Sequence, residues 1–129
     1  MKKKSKSIKR LKKEADAVFS KFIRIRDKGQ CFTCPTKGRI EDMQCGHYVS
    51  RSRLTTRYDE ENCHCQCVAC NVFKNGNMVA YSVNLMKLHG KDIIEELHLR
   101  SQVLRKFSRK DYEGLIAYYK NQINLLTSL

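Results

Sequence analysis

The sequence has no long apolar run. No stretch approaches the roughly 20 apolar residues of a membrane-spanning helix. The lysine-rich start is not followed by the apolar segment of a secretory signal peptide. No internal repeat is present, and the basic start is the only low-complexity segment. We therefore expect a cytoplasmic protein that is not inserted in a membrane.

Acidic residues are scarce. The chain of 129 residues has 13 Asp and Glu against 26 Lys and Arg, so its formal net charge is +13. Such an excess indicates a polyanionic partner, nucleic acid before a membrane surface. No acid precedes Glu14. Because like charges repel, residues 1–13 are predicted to form a flexible basic arm, and residues 14–129 a single domain.

The seven cysteines are an odd number, which in a cytoplasmic chain indicates metal ligands or reduced thiols rather than disulfides. Cys31-x-x-Cys34 and Cys67-x-x-Cys70 each place two thiolates on one turn, and together they match tetrahedral zinc. Four thiolates leave no open position, so the predicted zinc is structural. The alternative is that these four cysteines are small buried packing residues or redox-active thiols. The other cysteines lack this spacing and are given no role: Cys45, Cys63 and Cys65.

The first half of the chain predicts one helix followed by short extended segments. Apolar residues recur at helical spacing from about Ile8, and Gly29 offers a stop. Between residues 31 and 70 the pattern changes to turns with brief extended runs around 39–43 and 47–49. This segment is typical of a hairpin-like core organised by a metal.

The second half predicts helices only. One helix spans about residues 78–88 and ends at Gly90, and another follows over about 93–97. A last helix is predicted to start at Ser108, which could form an acidic variant of the capping box with Asp111. The expected fold class is α+β, with helices on either side of the cysteine-rich core.

His47 lies at the end of an expected strand, between the two cysteine pairs. A histidine held in one tautomer can take a proton from water that attacks a phosphodiester. Such a site also needs a hard cation, and the amide oxygen of Asn71 is a ligand that Mg²⁺ accepts. An isolated histidine would more often be an ordinary surface or core residue. Because His47 lies between the two cysteine pairs and Asn71 directly follows the second pair, we favour a catalytic role for His47.

Several basic side chains near His47 are candidates for contact with DNA phosphates. Guanidinium groups suit bidentate contacts with phosphate, although a solvated loop is the alternative for any single arginine. The candidates are Arg51, Arg53, Arg57 and Lys74.

An ordered string of motifs over roughly residues 28–105 resembles the NinG (Rap) family of lambdoid phage recombination nucleases. The string is far more specific than a single Cys-x-x-Cys pair. Its members are Cys31-x-x-Cys34, Cys45-Gly46-His47-Tyr48, Arg51, Arg57-Tyr58-Asp59-Glu60, Asn62, Gln66-Cys67-x-x-Cys70-Asn71, Gly76-Asn77 and Tyr81.

The resemblance implies a His-Asn-His (His-Me finger) nuclease with a zinc-organised ββα-metal core. It would cut branched DNA such as Holliday junctions and D-loops in the bacterial host of a phage. By position, His47 resembles the general base, and Asn62 the central asparagine that holds the loop bearing the base. Asn71 stands where the last residue of the motif binds Mg²⁺ or Mn²⁺ beside His47. A homodimer would present two sites to a symmetric junction.

The sequence departs from the His-Asn-His pattern at one position. Many such nucleases carry an aspartate ligand just before the base, whereas this chain has Gly46. Water and phosphate oxygens could complete the metal shell. Alternatively, a second protein ligand could come from Asp42, Asp59, Glu60 or His64. His64 could instead donate to phosphate or make a structural hydrogen bond.

Two other classes of protein remain open. Gly46 favours a non-catalytic, zinc-organised DNA-binding protein that assists recombination. The net charge also suits an RNA-binding zinc protein associated with the ribosome. That last class leaves the series of His47, Asn62 and Asn71 unexplained.

Overall fold

The computed structural model describes residues 5–128, and its first element is helix α1 (Ile8–Arg26). The Ser7 hydroxyl caps the helix by accepting a hydrogen bond from the backbone N–H of Arg10 at 3.1 Å. The chain turns away from α1 at Gly29, whose φ of +70° and contact with the Gly38 carbonyl leave no room for a Cβ atom. The predicted helix start and stop are confirmed.

The predicted basic arm of residues 1–13 differs from the structure in its second half. Residues 8–13 belong to α1, because Leu11 is buried against Tyr112 and Ile116 of the last helix. Lys6, just before the helix, also pairs with Glu14 at 2.7 Å. Residues 1–4 of the predicted arm lie outside the described part of the chain.

Two short strands form an antiparallel sheet, β1 (Gln44–His47) and β2 (Cys63–Gln66). Cys45 pairs with Cys65, and His47 pairs with Cys63. Directly paired residues share a face of the sheet, so these four side chains lie on one side. The run predicted around 39–43 is instead a 3₁₀ turn over Ile40–Asp42, and β1 begins just after it.

The connection between the strands is long and carries the short helix α2 (Leu54–Arg57). After β2 the chain forms a π-helical turn over Ala69–Phe73. Three helices follow: α3 (Met78–His89), α4 (Ile93–Ser101) and α5 (Arg109–Thr127). Gly90 ends α3, and Ser108 with Asp111 forms the reciprocal capping box of α5, as the sequence predicted.

The sheet is covered by helices on both faces. On one side, Phe19 and Phe22 of α1 and Tyr119 of α5 pack against Cys63. The other side is a cluster of Val49, Tyr81, Leu85, Ile93 and Leu97. The mixed α+β class is therefore confirmed. None of the helices in residues 5–128 is long and apolar enough to cross a membrane.

Candidate functional site

The four cysteines of the two Cys-x-x-Cys pairs meet at one end of the sheet. The potential ligand atoms of Cys31, Cys34, Cys67 and Cys70 all lie within 4.8 Å of one another, and the Cys34 and Cys67 sulfurs are 3.6 Å apart. Tetrahedral zinc with bonds of about 2.3 Å separates its sulfur ligands by about 3.8 Å. The donor set therefore fits zinc, and the predicted cluster could hold one such ion.

Local hydrogen bonds shape both turns of this cluster. The backbone N–H of Cys31 donates to the Thr36 carbonyl at 2.9 Å, and that of Asn71 donates to the Cys67 carbonyl at 2.9 Å. The Asn77 amide also donates to the Cys70 sulfur at 3.7 Å. Burial raises the pKa of the Cys67 thiol to about 11, so binding of a metal has to displace a proton.

His47 ends β1, and the backbone fixes its tautomer. Its Nε2 lies 2.9 Å from the carbonyl oxygen of Arg57. A carbonyl can only accept a hydrogen bond, so Nε2 carries the proton and donates it. The lone pair of the neutral ring is then on Nδ1. Burial lowers the pKa of His47 below its usual value, even though the Arg57 carbonyl favours the charged form.

Asn62 is fully buried just before β2 and fastens both ends of the connection between the strands. Its Oδ1 accepts from the Val49 N–H at 2.8 Å, and its Nδ2 donates to the carbonyls of Val49 at 3.0 Å and Thr56 at 3.1 Å. Its own carbonyl accepts from the Tyr48 N–H at 2.9 Å. Asn62 therefore holds the start of the segment that follows His47 through both its side chain and its backbone.

His47 and Asn71 line the same cavity, of about 440 Å³. Asn71 comes from the π-helical turn, and its Nδ2 donates to Gln44 Oε1 at 2.7 Å. No described residue donates to the Asn71 Oδ1 atom, which is the acceptor of this amide. A second cavity, of about 500 Å³, shares Cys45, His47, Arg51 and Asn71 with the first.

The charged lining of the first cavity is mainly positive. It consists of Arg24, Arg51, Arg57 and a single carboxylate, Asp16. Arg51 is exposed at the cavity. The net charge of its walls thus suits an anionic group such as a phosphate.

The four predicted phosphate-binding residues have different environments in the structure. Arg51 lines both cavities, whereas Arg53 and Lys74 are exposed but line neither. Arg57 makes contacts within the protein, and its binding to phosphate stays a prediction. Its guanidinium is buried, donates to the Asp16 carboxylate with Nε at 2.8 Å, and donates to the Arg51 carbonyl at 2.7 Å. Arg57 therefore fastens α1 to the loop and has little capacity left for phosphate.

None of the four proposed second metal ligands lines the cavity of His47. His64 lies on the opposite face of the sheet, stacked on Phe32 with ring centroids 4.0 Å apart, and burial lowers its pKa to about 3. The three carboxylates have other partners: Asp42 pairs with Arg39, Asp59 with Arg100, and Glu60 with Tyr119. Each of these side chains is engaged elsewhere, so the structure brings none of them to His47, and the identity of a second protein ligand stays a prediction.

Among the lining residues that were not singled out from the sequence, Asp16 and Gln44 contact residues of the site. Asp16 belongs to α1, and its partner Arg57 is 41 positions away, so no local pattern connects them. Gln44 is adjacent to the motif that contains His47, but nothing in the sequence indicates its contact with Asn71. Only the pairing of β1 and β2 brings it there.

Gly46 is explained by packing. A Cβ atom at this position would overlap Gln66 Oε1. Gln66 is fully buried and donates to the Gly76 carbonyl at 2.8 Å, so it cannot move aside without losing that bond. Position 46 also faces away from His47, since neighbours on a strand alternate sides. Position 46 therefore has no room for an aspartate side chain.

Together these features define a small α+β protein with a four-cysteine site that could hold zinc and a histidine in a positively lined cavity. The profile of the NinG family, described as Bacteriophage Lambda NinG protein, matches residues 1–128. The chain belongs to this family, which confirms that part of the sequence resemblance.

Several curated phage proteins are similar to this chain. Protein ninG of Salmonella phage P22 is 37% identical over 113 residues, which are 86% of this chain and 55% of that protein. Protein ninG of Escherichia phage lambda is 36% identical over 87 residues, 66% of this chain and 42% of that protein. The chain thus spans about half the length of the relatives it matches. No solved structure matches it.

Proposed function

We propose that this chain is a DNA endonuclease in which His47 is the general base. One observation carries the proposal: His47 lines a cavity whose charged walls are mainly positive, and the Arg57 carbonyl holds its proton on Nε2, so that the lone pair is on Nδ1. A neutral, oriented imidazole beside positive charge suits attack on a phosphodiester.

The proposed reaction is hydrolysis. His47 Nδ1 takes a proton from water as the water oxygen forms a bond to phosphorus. The phosphorus–oxygen bond to one nucleotide breaks, and the leaving oxygen takes a proton from solvent. Arg51, exposed at both cavities, would hold the phosphate by charge-assisted hydrogen bonds.

A divalent cation would neutralise charge that develops on the leaving oxygen. The cavity offers Asn71 Oδ1 and the carboxylate of Asp16, which is already paired with Arg57. This oxygen set suits Mg²⁺ or Mn²⁺ only if phosphate and water supply most of the shell, as Mg²⁺ readily tolerates. The chain itself therefore contributes Asn71 as the principal ligand.

The order of the elements supports the His-Asn-His assignment. His47 ends one strand, Asn62 precedes the paired strand, and Asn71 follows on a helical turn. The hydrogen bonds of Asn62 to Val49 match the role of the asparagine that holds the loop bearing the base. We propose on this basis an HNH-like ββα core, stabilised by the four-cysteine zinc site.

The substrate proposed from the resemblance is branched double-stranded DNA, Holliday junctions or D-loops, in the cytoplasm of the phage host. The net charge of +13 supports a nucleic-acid partner. A homodimer would allow both strands of a junction to be cut, and it is part of the same proposal.

The test is cleavage of labelled linear, forked and four-way DNA by the purified chain with Mg²⁺, Mn²⁺ or EDTA. His47→Ala should bind DNA normally and cut about 10²–10⁴-fold more slowly, the usual contribution of general acid–base catalysis. His98→Ala, an exposed histidine on α4, is the matched control and should retain activity. Equal rates for His47→Ala and the parent would show that His47 is not the base.

A second candidate is a non-catalytic, zinc-organised DNA-binding protein. It is favoured by Gly46 and by the engagement of the cavity's single carboxylate, Asp16, with Arg57. The same assay decides between them: binding to four-way DNA without cleavage in either metal would establish the second candidate. Preference for single-stranded RNA would instead favour the ribosome-associated class.

A further inference from the structure

A second group of metal-ligating side chains lies outside the four-cysteine cluster. Potential ligand atoms of Cys45, His47 and Cys63 all lie within 4.8 Å of one another. The sheet itself creates this group. Cys45 and His47 are two positions apart on β1 and share a face, and Cys63 on β2 is the direct partner of His47.

We propose that Cys45, His47 and Cys63 form a second site for a soft divalent ion of the zinc class. Two sulfurs and one imidazole nitrogen are ligands that zinc prefers. Donor atoms of a tetrahedral site are separated by roughly 3.3–3.8 Å, given bonds of about 2.0–2.3 Å. The ligand atoms of the observed group, all within 4.8 Å of one another, are close to that range.

A disulfide between Cys45 and Cys63 fits the geometry less well. The direct partner of Cys45 is Cys65, so Cys45 and Cys63 are diagonal neighbours. Diagonal Cα atoms in an antiparallel pair are about 7–8 Å apart, beyond the usual disulfide range of about 4.4–6.8 Å. A metal with two bonds to sulfur spans that separation without movement of the backbone.

The second site differs from the four-cysteine site because one position stays open. Cys63 is fully buried, whereas Cys45 and His47 line the 440 Å³ cavity. A metal held by these three residues would take its fourth ligand from the cavity, as water or a phosphate oxygen. We expect weaker, exchangeable binding here than at four thiolates.

Occupation of this site would block the base, and this step rests on the proposed function. A neutral imidazole has one available lone pair, and the metal takes it whichever ring nitrogen it binds. The two thiols would release their protons on binding. Soft ions should therefore inhibit cleavage, while Mg²⁺, which prefers oxygen ligands, should not occupy the site.

The first test counts zinc in the full chain after dialysis against micromolar free Zn²⁺. The parent should hold two zinc ions, and Cys45→Ala or Cys63→Ala should hold one. Loss of a direct ligand should weaken binding by more than about tenfold, since changes to residues that only hydrogen-bond to the ligands already cost about 10–100-fold. Cys65→Ala is the control on the same face of the sheet and should hold two. One zinc in the parent, or two in Cys45→Ala, would overturn the proposal.

The second test compares each protein's cleavage rate with and without added zinc at fixed Mg²⁺. The parent and Cys65→Ala should be inhibited, and Cys45→Ala should not. If no protein cleaves DNA, the proposed function fails while the zinc count still decides the site. If the second zinc binds and cleavage continues, the zinc does not block the lone pair of His47, and the proposed inhibition is refuted.

Discussion

At the residue scale, one amide positions another in the cavity. Gln44 Oε1 accepts from Asn71 Nδ2, which leaves the Asn71 Oδ1 atom as the oxygen available to a cation. The contact joins the first residue of β1 to the π-helical turn. The orientation of the proposed ligand is thus set by the pairing of the strands rather than by the turn alone.

Substitution of Asn71 should expose this ligand role. Asn71→Ala should lose activity that higher Mg²⁺ or Mn²⁺ partly restores, because a weakened cation site responds to mass action. Asn71→Asp is the matched variant. Its carboxylate is a stronger ligand and Gln44 can rotate to donate to it, so half-maximal activity should need no more Mg²⁺ than in the parent. Metal titrations of cleavage measure both, and a defect in Asn71→Ala that is independent of metal concentration would contradict the assignment.

The sequence motifs predicted these positions but not what surrounds them. The chemistry of their side chains indicates His47 and Asn71, whereas the role of Asn62 is implied by the resemblance to the NinG family. The engagement of Arg57 by Asp16 was missed because the two residues are 41 positions apart. The reason for Gly46 was also hidden, since it depends on the buried side chain of Gln66 across the sheet.

At the element scale, α1 forms one wall of the cavity and is joined to the loop that supports His47. Asp16 accepts from the Arg57 guanidinium and from the Tyr58 hydroxyl, at 2.8 and 2.7 Å. Burial opposes the charge of Asp16, yet these bonds hold its pKa below the usual value. The same residue, Arg57, supplies the carbonyl that orients His47.

Asp16→Asn should therefore destabilise the protein and disturb the site. Loss of the charged hydrogen bonds to a buried arginine should lower the free energy of unfolding by about 2 kcal/mol. Glu14→Gln on the same helix is the control, because its bridges to Lys6 and Lys120 are at the surface and should contribute little. Urea unfolding measures both, and equal stability of the two variants would contradict this role of Asp16.

The helices were more predictable than the strands. Their boundaries follow from local signals: Ser7 and Gly29 for α1, and the Ser108–Asp111 capping box for α5. The strand β1 is four residues long and contains Gly46, which gives too little alternation to locate it from the sequence. Its position depends on pairing with β2, which is a contact across a long connection.

At the scale of the whole molecule, the four cysteines are a core cluster as well as a potential zinc site. Cys31, Cys67 and Cys70 are buried with Met43 and Cys65 in one of the hydrophobic clusters. Structural zinc contributes about 10–16 kcal/mol in small zinc domains, whereas a whole domain is stable by about 5–15 kcal/mol. The fold around β2 should therefore depend on the metal.

Removal of zinc should unfold the centre of the molecule. A strong chelator, or Cys67→Ser, should abolish the near-ultraviolet circular dichroism and the cooperative thermal transition. Cys65→Ser, which changes a buried cysteine outside the four-cysteine cluster, should keep the metal and the transition. A native spectrum in metal-free protein would show that packing alone sustains the fold.

The ion pair between Asp16 and Arg57 also determines how much of the chain must be kept if the site is transferred to another protein. All the motif residues lie between Cys31 and Tyr81. This stretch alone would therefore be the obvious choice for grafting the site onto another scaffold. Such a graft would leave behind α1, and with it the carboxylate that anchors Arg57. The grafted loop would lose its contact with α1. The Arg57 carbonyl that orients His47 would then no longer be held in place. The smallest transferable unit therefore includes the amino-terminal helix.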